Sequence, residues 1–299
     1  MTTRITAVIV NYNSDTELRH ALQSLADEGS ADWEAVVVDN ASRDGSESVV
    51  SEFAPKVRLI RNPDNRGFGA GINQGLAVAR YPLALIMNPD CRLLTGALEK
   101  MRRELEAHPS CALVGPRILD PDGAVQGSAR GDPDMFTGLF GRASRLRRAL
   151  PALAVSRRNV VGVSAVDGPS VVVDWVSGAC MLARRDALAS VGGFDERYFL
   201  YWEDADLCRR LRARGFHVRY APAAAVMHRV GQSSQTARAV SIRAFHHSAY
   251  LYYATHVATG ALNPKRILAK VILALRCRWK LRATRNSPLP TPRLRSGLP

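Results

Sequence analysis

Short apolar runs alternate with amphipathic segments along the first third of the chain. Four of these runs, rich in Val, Ile and Leu, predict strands that are buried on both faces. They cover residues 5–10, 33–38, 57–60 and 83–87. Helical spacing follows Asp15, whose side chain we expect to cap the helix, and further helices are predicted up to about Phe53 and over residues 67–79. This alternation predicts an α/β fold with a mostly parallel sheet flanked by helices.

The middle of the chain is less regular. The pattern predicts a helix over residues 95–107 and a strand over 111–115, and it then loosens between residues 127 and 166. A mobile loop or lid and a disordered linker are both compatible with that loosening. Beyond it, strands and helices are predicted over residues 171–176, 178–184, 202–214, 217–220, 223–228, 237–257 and 264–282, with a short helix from Arg185.

The positive charge of the chain is confined to its C-terminal part. The 299 residues carry a formal net charge of +14, yet all 27 acidic residues lie at or before Asp206, whereas 18 of the 41 lysines and arginines follow it. In the predicted helix 264–282, one face holds Leu268, Val271, Ile272, Leu275 and Trp279 and the other holds Lys270, Arg276 and Lys280. Such a helix is typical of docking on an anionic lipid surface. An ordinary packed surface helix is the alternative, and the pattern favours nucleic-acid binding less than either.

Cysteine usage and hydropathy indicate a reducing compartment. The five cysteines are widely spaced and form no Cys-x-x-Cys pair, so neither a zinc site nor a disulfide framework is predicted. The first residues lead directly into an apolar strand and show no signal-peptide core. No apolar run approaches the roughly 20 residues that are needed to cross a bilayer. We therefore expect a cytoplasmic chain that does not span a membrane.

Carboxylates follow two of the predicted strands. Asp39 comes directly after the second strand, and Asp90 follows the fourth in the sequence Asn88-Pro89-Asp90. Ligands collect beyond the carboxyl ends of parallel strands. Asp90 is therefore a candidate to hold a divalent cation against a phosphate, and Asp39 a candidate to accept the N3–H of a pyrimidine, with Asn40 beside it. A plain turn at Asp90 or an Asx turn at Asp39 is the alternative, because the same residue types favour turns.

A glycine-rich turn lies where the helix 67–79 begins. Residues 65–75 contain four glycines, but their spacing matches neither a dinucleotide fingerprint nor a Walker A loop. A turn so poor in side chains lets the backbone approach a ligand closely. Plain packing of the helix against the sheet is the alternative.

The second half of the chain holds two more candidates for chemistry. Glu203, Asp204 and Asp206 follow an aromatic run and begin a predicted helix at Trp202. They either pair with the helix dipole or provide a general base next to a sugar-like acceptor. His228 ends an apolar run, where it is either a structural residue or a metal ligand.

Seven short segments, taken in order, are similar to those of the family 2 inverting glycosyltransferases, which have the nucleotide-sugar-binding GT-A fold. These segments are residues 8–13, 37–45, 65–69, 88–90, 192–196, 202–207 and 228–231. They span about residues 5–235, and their order makes the resemblance more specific than any single segment. Within the family, the chain resembles bacterial rhamnosyltransferases most. These extend cell-surface glycans from dTDP-L-rhamnose, often on polyprenyl-diphosphate acceptors.

The resemblance implies a division of the chain. A GT-A domain would occupy residues 1–235, with a Rossmann-like nucleotide-sugar-binding half over 1–115 and an acceptor half over 116–235. Residues 236–285 would form a basic amphipathic helical extension. Residues 286–299, rich in Pro, Ser and Arg, would be a disordered tail.

The resemblance also implies roles for the residues that match the family motifs. The implied substrate-binding residues are Asn11, Tyr12, Asp39, Asn40, Asn65, Gly67, Phe68, Asn73, Asn88 and Trp202. Asp90 would bind Mg²⁺ or Mn²⁺ with His228 as a second ligand, and Asp204 would be the general base. Glu203 would help to place the acceptor or the donor.

One position departs from the family pattern. The metal motif of the family usually has two aspartates, and Asn88 replaces the first of them. One charge fewer weakens metal binding, which keeps open a catalytically inactive homologue that binds a sugar nucleotide or a glycan. The active alternative is an inverting transferase that moves a sugar, expected to be L-rhamnose, from a dTDP- or UDP-sugar to a hydroxyl group. That hydroxyl would belong to a lipid-linked glycan at the inner face of the cell membrane, in cell-surface polysaccharide synthesis.

Overall fold

One nine-stranded sheet organises the part of the chain that the structure describes. The computed structural model describes residues 4–29, 32–132, 168–229 and 238–285, so most of the predicted loop and all of the predicted tail lie outside the described residues. The strands are β1 (Arg4–Asn11), β2 (Asp32–Asp39), β3 (Val57–Arg61), β4 (Leu83–Met87), β5 (Cys91–Leu93), β6 (Cys111–Leu119), β7 (Ala129–Arg130), β8 (Val171–Val173), β9 (Trp175–Val176), β10 (Cys180–Arg184) and β11 (His217–His228). The helices are α1 (Glu17–Asp27), α2 (Phe68–Val78), α3 (Ala97–Ala107), α4 (Arg185–Ser190), α5 (Glu203–Ala213), α6 (Arg238–His256) and α7 (Pro264–Arg285), with a 3₁₀ helix over Ser46–Phe53.

The sheet is parallel in its first half and mixed in its second. The strand order is β3-β2-β1-β4-β10-β6-β11-β5, with β8 paired to β11. β1 to β4 run parallel, whereas β10 runs antiparallel to both of its neighbours, β4 and β6. The two strands predicted at 217–220 and 223–228 are one strand, β11, whose register shifts between Ala221 and Ala225. The predicted α/β class, with a large sheet flanked by helices, is confirmed.

Each face of the sheet has its own apolar core. In β1, Ile5 and Ile9 point into one core and Val8 and Val10 into the other. Because both faces are covered, β1 is a nearly continuous apolar run and lacks the alternation of a half-exposed strand. The predicted apolar face of α1 lies in the first core through Leu18, Ala21, Leu22 and Leu25.

Two local predictions are wrong. The helix predicted up to Phe53 is a 3₁₀ helix that begins after Gly45, whose φ is 76°. Asp15 does not cap α1, because Thr16 precedes that helix and provides no side-chain cap, while Asp15 itself has a φ of 51°. The Asp15 backbone N–H instead donates to Asp44 Oδ2 at 2.6 Å. The side chain of Asp44, in a neighbouring turn, thus holds the backbone of this loop.

Close packing explains two of the glycines in the turn at 65–75. A Cβ atom on Gly71 would lie 2.7 Å from Val10 Cγ2, and one on Gly75 would overlap Val8 Cγ1. Since interiors are close-packed, α2 lies on β1 at a distance that only glycine permits. The packing alternative is therefore confirmed for Gly71 and Gly75.

The C-terminal helices pack on the half of the sheet that carries α5. The Arg209 guanidinium of α5 donates to the His256 carbonyl of α6 at 3.0 Å and lies 5.9 Å from the centre of the Tyr252 ring. α7 packs on α6 in turn, and Arg266 Nε donates to the Tyr250 hydroxyl at 3.2 Å. Contacts therefore run continuously from α5 to α7.

α7 turns its apolar face outward. Between 50% and 67% of the residue surface is exposed at Leu268, Val271, Leu275 and Trp279. Ala269 instead packs with Tyr253 of α6, and burial lowers the pKa values of Arg276 and Lys280. Ala269 and Leu273 of α7 are buried, so the helix packs through one side while most of the predicted apolar face stays exposed. Among the described residues, no helix is both long and apolar enough to span a membrane.

We predict that Gly75→Ala lowers the free energy of unfolding. The added methyl group gains about 1 kcal/mol in helix propensity, but overpacking against Val8 costs about 1–3 kcal/mol. Chemical denaturation measures the difference. Gly75→Ala combined with Val8→Ala should lose less than the sum of the two single losses, since the smaller valine replacement makes room for the methyl group. Losses that simply add in the double variant would contradict this explanation of the α2–β1 contact.

Candidate active site

The polar residues that end β1 and β2 bond to one another. Asn11 is fully buried, and its Nδ2 donates to Asp39 Oδ1 at 2.7 Å and to Ser46 Oγ at 2.8 Å. Asp39 Oδ2 accepts from the Ser42 backbone N–H at 2.9 Å, so the carboxylate also holds the turn that follows β2. Both carboxylate oxygens keep further lone pairs, and a nucleoside contact at Asp39 stays a prediction. Tyr12 lies partly exposed at the same edge.

Asn40 holds the glycine-rich turn in place. Its Oδ1 accepts from Asn62 Nδ2 at 2.8 Å, and its Nδ2 donates to the Gly67 carbonyl at 3.1 Å and to Asn65 Oδ1 at 3.2 Å. Asn65 Oδ1 also accepts from the Gly67 N–H at 2.9 Å. Since Asn40 is 1% exposed, it lies beneath the turn and shapes it. The structure therefore brings Asn40, Asn65 and Gly67 together, as predicted.

α2 is tied to the loop that precedes α5. Asn73 Nδ2 donates to the Phe194 carbonyl, and Asn73 Oδ1 accepts from the Phe194 N–H, both at 2.9 Å. The Phe68 N–H donates to the Phe199 carbonyl at 2.9 Å. Asn73 thus positions two segments of its own chain, and a direct substrate contact by Asn73 or Phe68 stays a prediction.

The turn after β4 and the start of α5 meet immediately before β10. The Asn88 N–H donates to the Ala179 carbonyl at 2.8 Å, and the Gly178 N–H donates to Asp204 Oδ2 at 2.9 Å. A Cβ atom on Gly178 would lie 3.3 Å from Asp204 Cβ, so the two backbones are close. The consecutive residues Gly178 and Ala179 therefore link Asp204, the predicted base, to the Asn88 turn that holds the predicted metal ligand Asp90.

Asp90 and His228 face each other beside this junction. Asp90 Oδ1 lies 3.2 Å from His228 Nε2, and the same oxygen is buried and makes no hydrogen bond to a described residue. Asn88 Nδ2 lies 3.5 Å from the same histidine nitrogen. The antiparallel pairing of Cys91 in β5 with His228 in β11 brings the two together.

Gln126 fixes the tautomer of His228. Gln126 Nε2 donates to Asp120 Oδ1 at 2.8 Å and to the His228 carbonyl at 2.9 Å. Its Oε1 therefore faces His228 Nδ1, at 3.1 Å. An amide oxygen only accepts, so Nδ1 carries a proton, and in the neutral ring the Nε2 lone pair faces Asp90.

A divalent cation fits between His228 and Asp90. His228 Nε2 lies 3.2 Å from Asp90 Oδ1, and that oxygen has no hydrogen-bond partner among the described residues. Neighbouring ligand atoms around an octahedral ion such as Mg²⁺ lie about 3 Å apart. A second shell like Gln126 is also what orients metal-binding histidines. The donor set therefore suits Mg²⁺ or Mn²⁺.

Cys91 lies beside Asp90 and His228, but its thiol is a poor ligand for Mg²⁺ or Mn²⁺. The ligand atoms of Asp90, Cys91 and His228 all lie within 4.8 Å of one another. The Cys91 thiol is fully buried and donates to the Ala179 carbonyl at 3.2 Å. Burial, aided by the Asp90 charge, raises the thiol pKa well above its usual value, and a soft sulfur ligand suits Mg²⁺ or Mn²⁺ less well than a carboxylate does.

The three acids of α5 lie in different environments. Glu203 is 5% exposed and Asp206 is 1% exposed, and Asp206 Oδ2 accepts from Arg210 Nε at 2.7 Å. Asp204 is partly exposed and is held by the Gly178 N–H. Of the three, Asp204 is the one whose carboxylate an acceptor hydroxyl can reach. A substrate-placing role for the buried Glu203 stays a prediction.

Several supporting residues were missed by sequence reasoning. Gln126 lies 102 positions from His228 and belongs to no recognisable motif. Gly178 carried one weak signal, because it is a glycine that begins a predicted strand. The ring of Trp202 packs 5.3 Å from the ring of Tyr252 in α6, and its substrate contact stays a prediction.

The sequence matches glycosyl transferase family 2 over residues 6–161 and the glycosyl transferase family group 2 over residues 84–281. The chain belongs to glycosyl transferase family 2 and is a glycosyltransferase. This membership confirms the resemblance described above.

Three known proteins illustrate the similarity. The N-acetylglucosaminyl-diphospho-decaprenol L-rhamnosyltransferase of Mycobacterium tuberculosis is 31% identical in an alignment 296 residues long. The alignment covers 95% of this chain and 95% of the relative. The mannosyltransferase PcManGT from Pyrobaculum calidifontis, solved with GDP-Man and Mn²⁺, has a TM-score of 0.58 at 18% identity and is matched over 97% of this chain and 77% of its own. GalNAc-T7, solved with UDP, GalNAc and Mn²⁺, has a TM-score of 0.59 at 14% identity over 94% of this chain and 57% of its own. The predicted GT-A fold is confirmed.

We predict that Asp90→Asn and His228→Gln each weaken Mn²⁺ binding by about 10-fold or more, since even outer-shell losses cost 10–100-fold. Calorimetric titration of Mn²⁺ in the presence of dTDP measures the affinity. Cys91→Ser is the matched control, and it should leave the affinity unchanged because the thiol is protonated. Unchanged affinity in Asp90→Asn, or a loss in Cys91→Ser equal to that in His228→Gln, would contradict this assignment of ligands.

Proposed function

We propose that this glycosyltransferase moves L-rhamnose from a dTDP- or UDP-sugar, with inversion, to a hydroxyl of a lipid-linked glycan. Similarity over 95% of both chains to a rhamnosyltransferase named for a decaprenyl-diphosphate-linked acceptor supports the donor and the acceptor. The observation that carries the reaction is the Gly178–Ala179 junction, where Asp204 and the Asn88 turn bond to consecutive residues. The product would serve cell-surface polysaccharide synthesis.

Asp90 and His228 would hold Mg²⁺ or Mn²⁺ at the diphosphate of the donor. The ion, when bound, stabilises the charge that develops on the departing nucleoside diphosphate. Asn88 adds a neutral amide where the family pattern has a carboxylate, so the site carries one negative charge fewer. We expect this metal to bind more weakly than at a site with two aspartates.

Asp204 would take the proton from the acceptor hydroxyl as that oxygen attacks the anomeric carbon. Its Oδ2 is held by the Gly178 N–H at 2.9 Å and its Oδ1 by the Ala205 N–H at 2.8 Å, so both oxygens have defined positions. One acid opposite one metal site suits a single in-line displacement, in which no covalent intermediate forms. Such a displacement inverts the anomeric centre.

The neutral residue at position 88 supports a second candidate function. With Asn88 in the metal motif, the chain would bind a sugar nucleotide or a glycan without transferring it. Release of dTDP from dTDP-L-rhamnose in the presence of Mg²⁺ and a lipid-linked acceptor separates the two candidates. Product formation excludes the inactive homologue.

We predict that Asp204→Asn lowers turnover by about 100-fold or more, because an amide cannot accept the proton. Binding of dTDP should persist, since the substitution is isosteric and keeps an oxygen for the Gly178 N–H. Asp27→Asn, at the exposed end of α1, is the matched control and should turn over normally. Near-normal turnover in Asp204→Asn would remove Asp204 from the role of base.

We also propose that α7 docks the enzyme on an anionic bilayer at the inner face of the cell membrane. Its outward apolar face is bordered by exposed basic residues, and the chain has no acidic residue beyond Asp206. The bordering residues are Lys265, Lys270, Arg278 and Arg282. Apolar insertion and attraction to anionic lipid then act together, and docking would hold the crevice near a lipid-linked acceptor.

We predict that Leu268→Ser combined with Leu275→Ser lowers binding to phosphatidylglycerol-containing vesicles by about 10-fold or more, since each leucine contributes roughly 1.5–3 kcal/mol when buried. Flotation at low salt measures the bound fraction. The matched control is Val172→Ser, because Val172 is 54% exposed but lies in β8. A full-length chain that stays at the bottom of the gradient would contradict docking, and concentration-dependent dimers lost in the Leu268 and Leu275 variant would identify a second copy as the occupant.

A further inference from the structure

The turn before α5 adopts a conformation that its residues disfavour. Tyr201 has a φ of 68° and Trp202 a φ of 72°, and both are bulky residues in the left-handed region. Such strain persists only where surrounding contacts hold it. Because Trp202 directly precedes α5, the shape of this turn sets the direction in which the first turn of the helix points.

α6 supplies contacts that hold this turn. Ser248 Oγ donates to the Leu200 carbonyl at 3.0 Å. The Tyr252 ring lies 5.3 Å from the Trp202 ring, and the Phe245 ring lies 5.9 Å from the Tyr201 ring. Residues of the predicted C-terminal extension therefore pack directly on the segment that leads into the base.

His256 adds a polar link from the end of α6 to the first turn of α5. Its Nε2 lies 2.6 Å from Asp206 Oδ1, and Asp206 is 1% exposed. Since an ionised carboxylate only accepts, His256 Nε2 donates this hydrogen bond. Asp206 Oδ2 accepts from Arg210 Nε at 2.7 Å, and the Arg210 guanidinium donates to the Val191 and Gly193 carbonyls. Asp206 thus joins α6 to the loop before α5.

We propose that His256 is a positioning residue for the general base, and that α6 is part of the catalytic unit. The inference rests on the proposed role of Asp204. Asp204 and Asp206 are two residues apart on the first turn of α5, so they point to different sides of the helix. The bond from His256 to Asp206 fixes one side of that turn, and this keeps Asp204 on the other side against the Gly178 N–H.

The test compares His256→Leu with His256→Gln, whose amide donates a hydrogen bond in place of the ring Nε2. Turnover of dTDP-L-rhamnose with a lipid-linked acceptor is measured per titrated dTDP-binding site, so unfolded protein does not count. We expect His256→Leu to lower kcat by about 10-fold or more with the donor KM unchanged, because small displacements of a catalytic group cost up to 10²-fold. His256→Gln should recover most of that loss. His247→Leu, at an exposed position of the same helix, is the matched control.

A double-mutant comparison separates this inference from the proposed function. If His256 acts through Asp204, the Asp204→Asn variant loses no further turnover when His256→Leu is added. If the two single losses multiply in the double variant, His256 does not act through Asp204. A normal kcat in His256→Leu beside a strong loss in Asp204→Asn would likewise overturn the positioning role. In both cases the proposal that Asp204 is the general base would stand. Normal turnover in Asp204→Asn would overturn both.

Ser248→Ala keeps the inference testable if His256→Leu does not fold. It removes only the hydrogen bond to the Leu200 carbonyl. We expect a several-fold loss of kcat with an unchanged donor KM. An unchanged kcat in Ser248→Ala, with His256→Leu unfolded, would assign α6 to stability alone and overturn the proposal.

Discussion

Two potential metal ligands that face each other across 3.2 Å set the chemistry of this site. Asp90 Oδ1 is buried without a hydrogen bond to a described residue, and Gln126 orients the ring of His228 so that Nε2 faces that oxygen. The pairing of Cys91 in β5 with His228 in β11 holds Asp90 beside the histidine. An oriented histidine and a carboxylate are donors that suit a divalent cation.

The antiparallel strand β10 is what connects this pair to the rest of the reaction. A neighbour that ran parallel to β4 would begin at the opposite edge of the sheet, whereas the antiparallel β10 begins at the edge where β4 ends. Here β10 lies directly against β4, and the residues before it bond to the Asn88 turn on one side and to Asp204 on the other. Gly178 and Ala179 thereby join the proposed metal turn to Asp204, the proposed base.

Much of the fold could be predicted from the sequence, because buried parallel strands are continuous apolar runs between turn residues. The order of the short motifs also indicated the family, and Asp90 and His228 lie together as the resemblance implied. The hydrogen-bond partners of Asn11 and Asn40 could not be predicted, since burial depends on neighbours that are distant in the chain. The same holds for Gln126 and for the outward apolar face of α7. Contacts between α6 and α5 also cross the boundary predicted at residue 235.

Anomalous diffraction at the manganese edge, from crystals grown with Mn²⁺ and dTDP, tests directly whether Asp90 and His228 bind the metal ion. We expect one peak within bonding distance of both Asp90 Oδ1 and His228 Nε2, in contact with the diphosphate and on the side of the crevice opposite Asp204. Bound dTDP with no manganese at this pair, or manganese held by other residues, would contradict it.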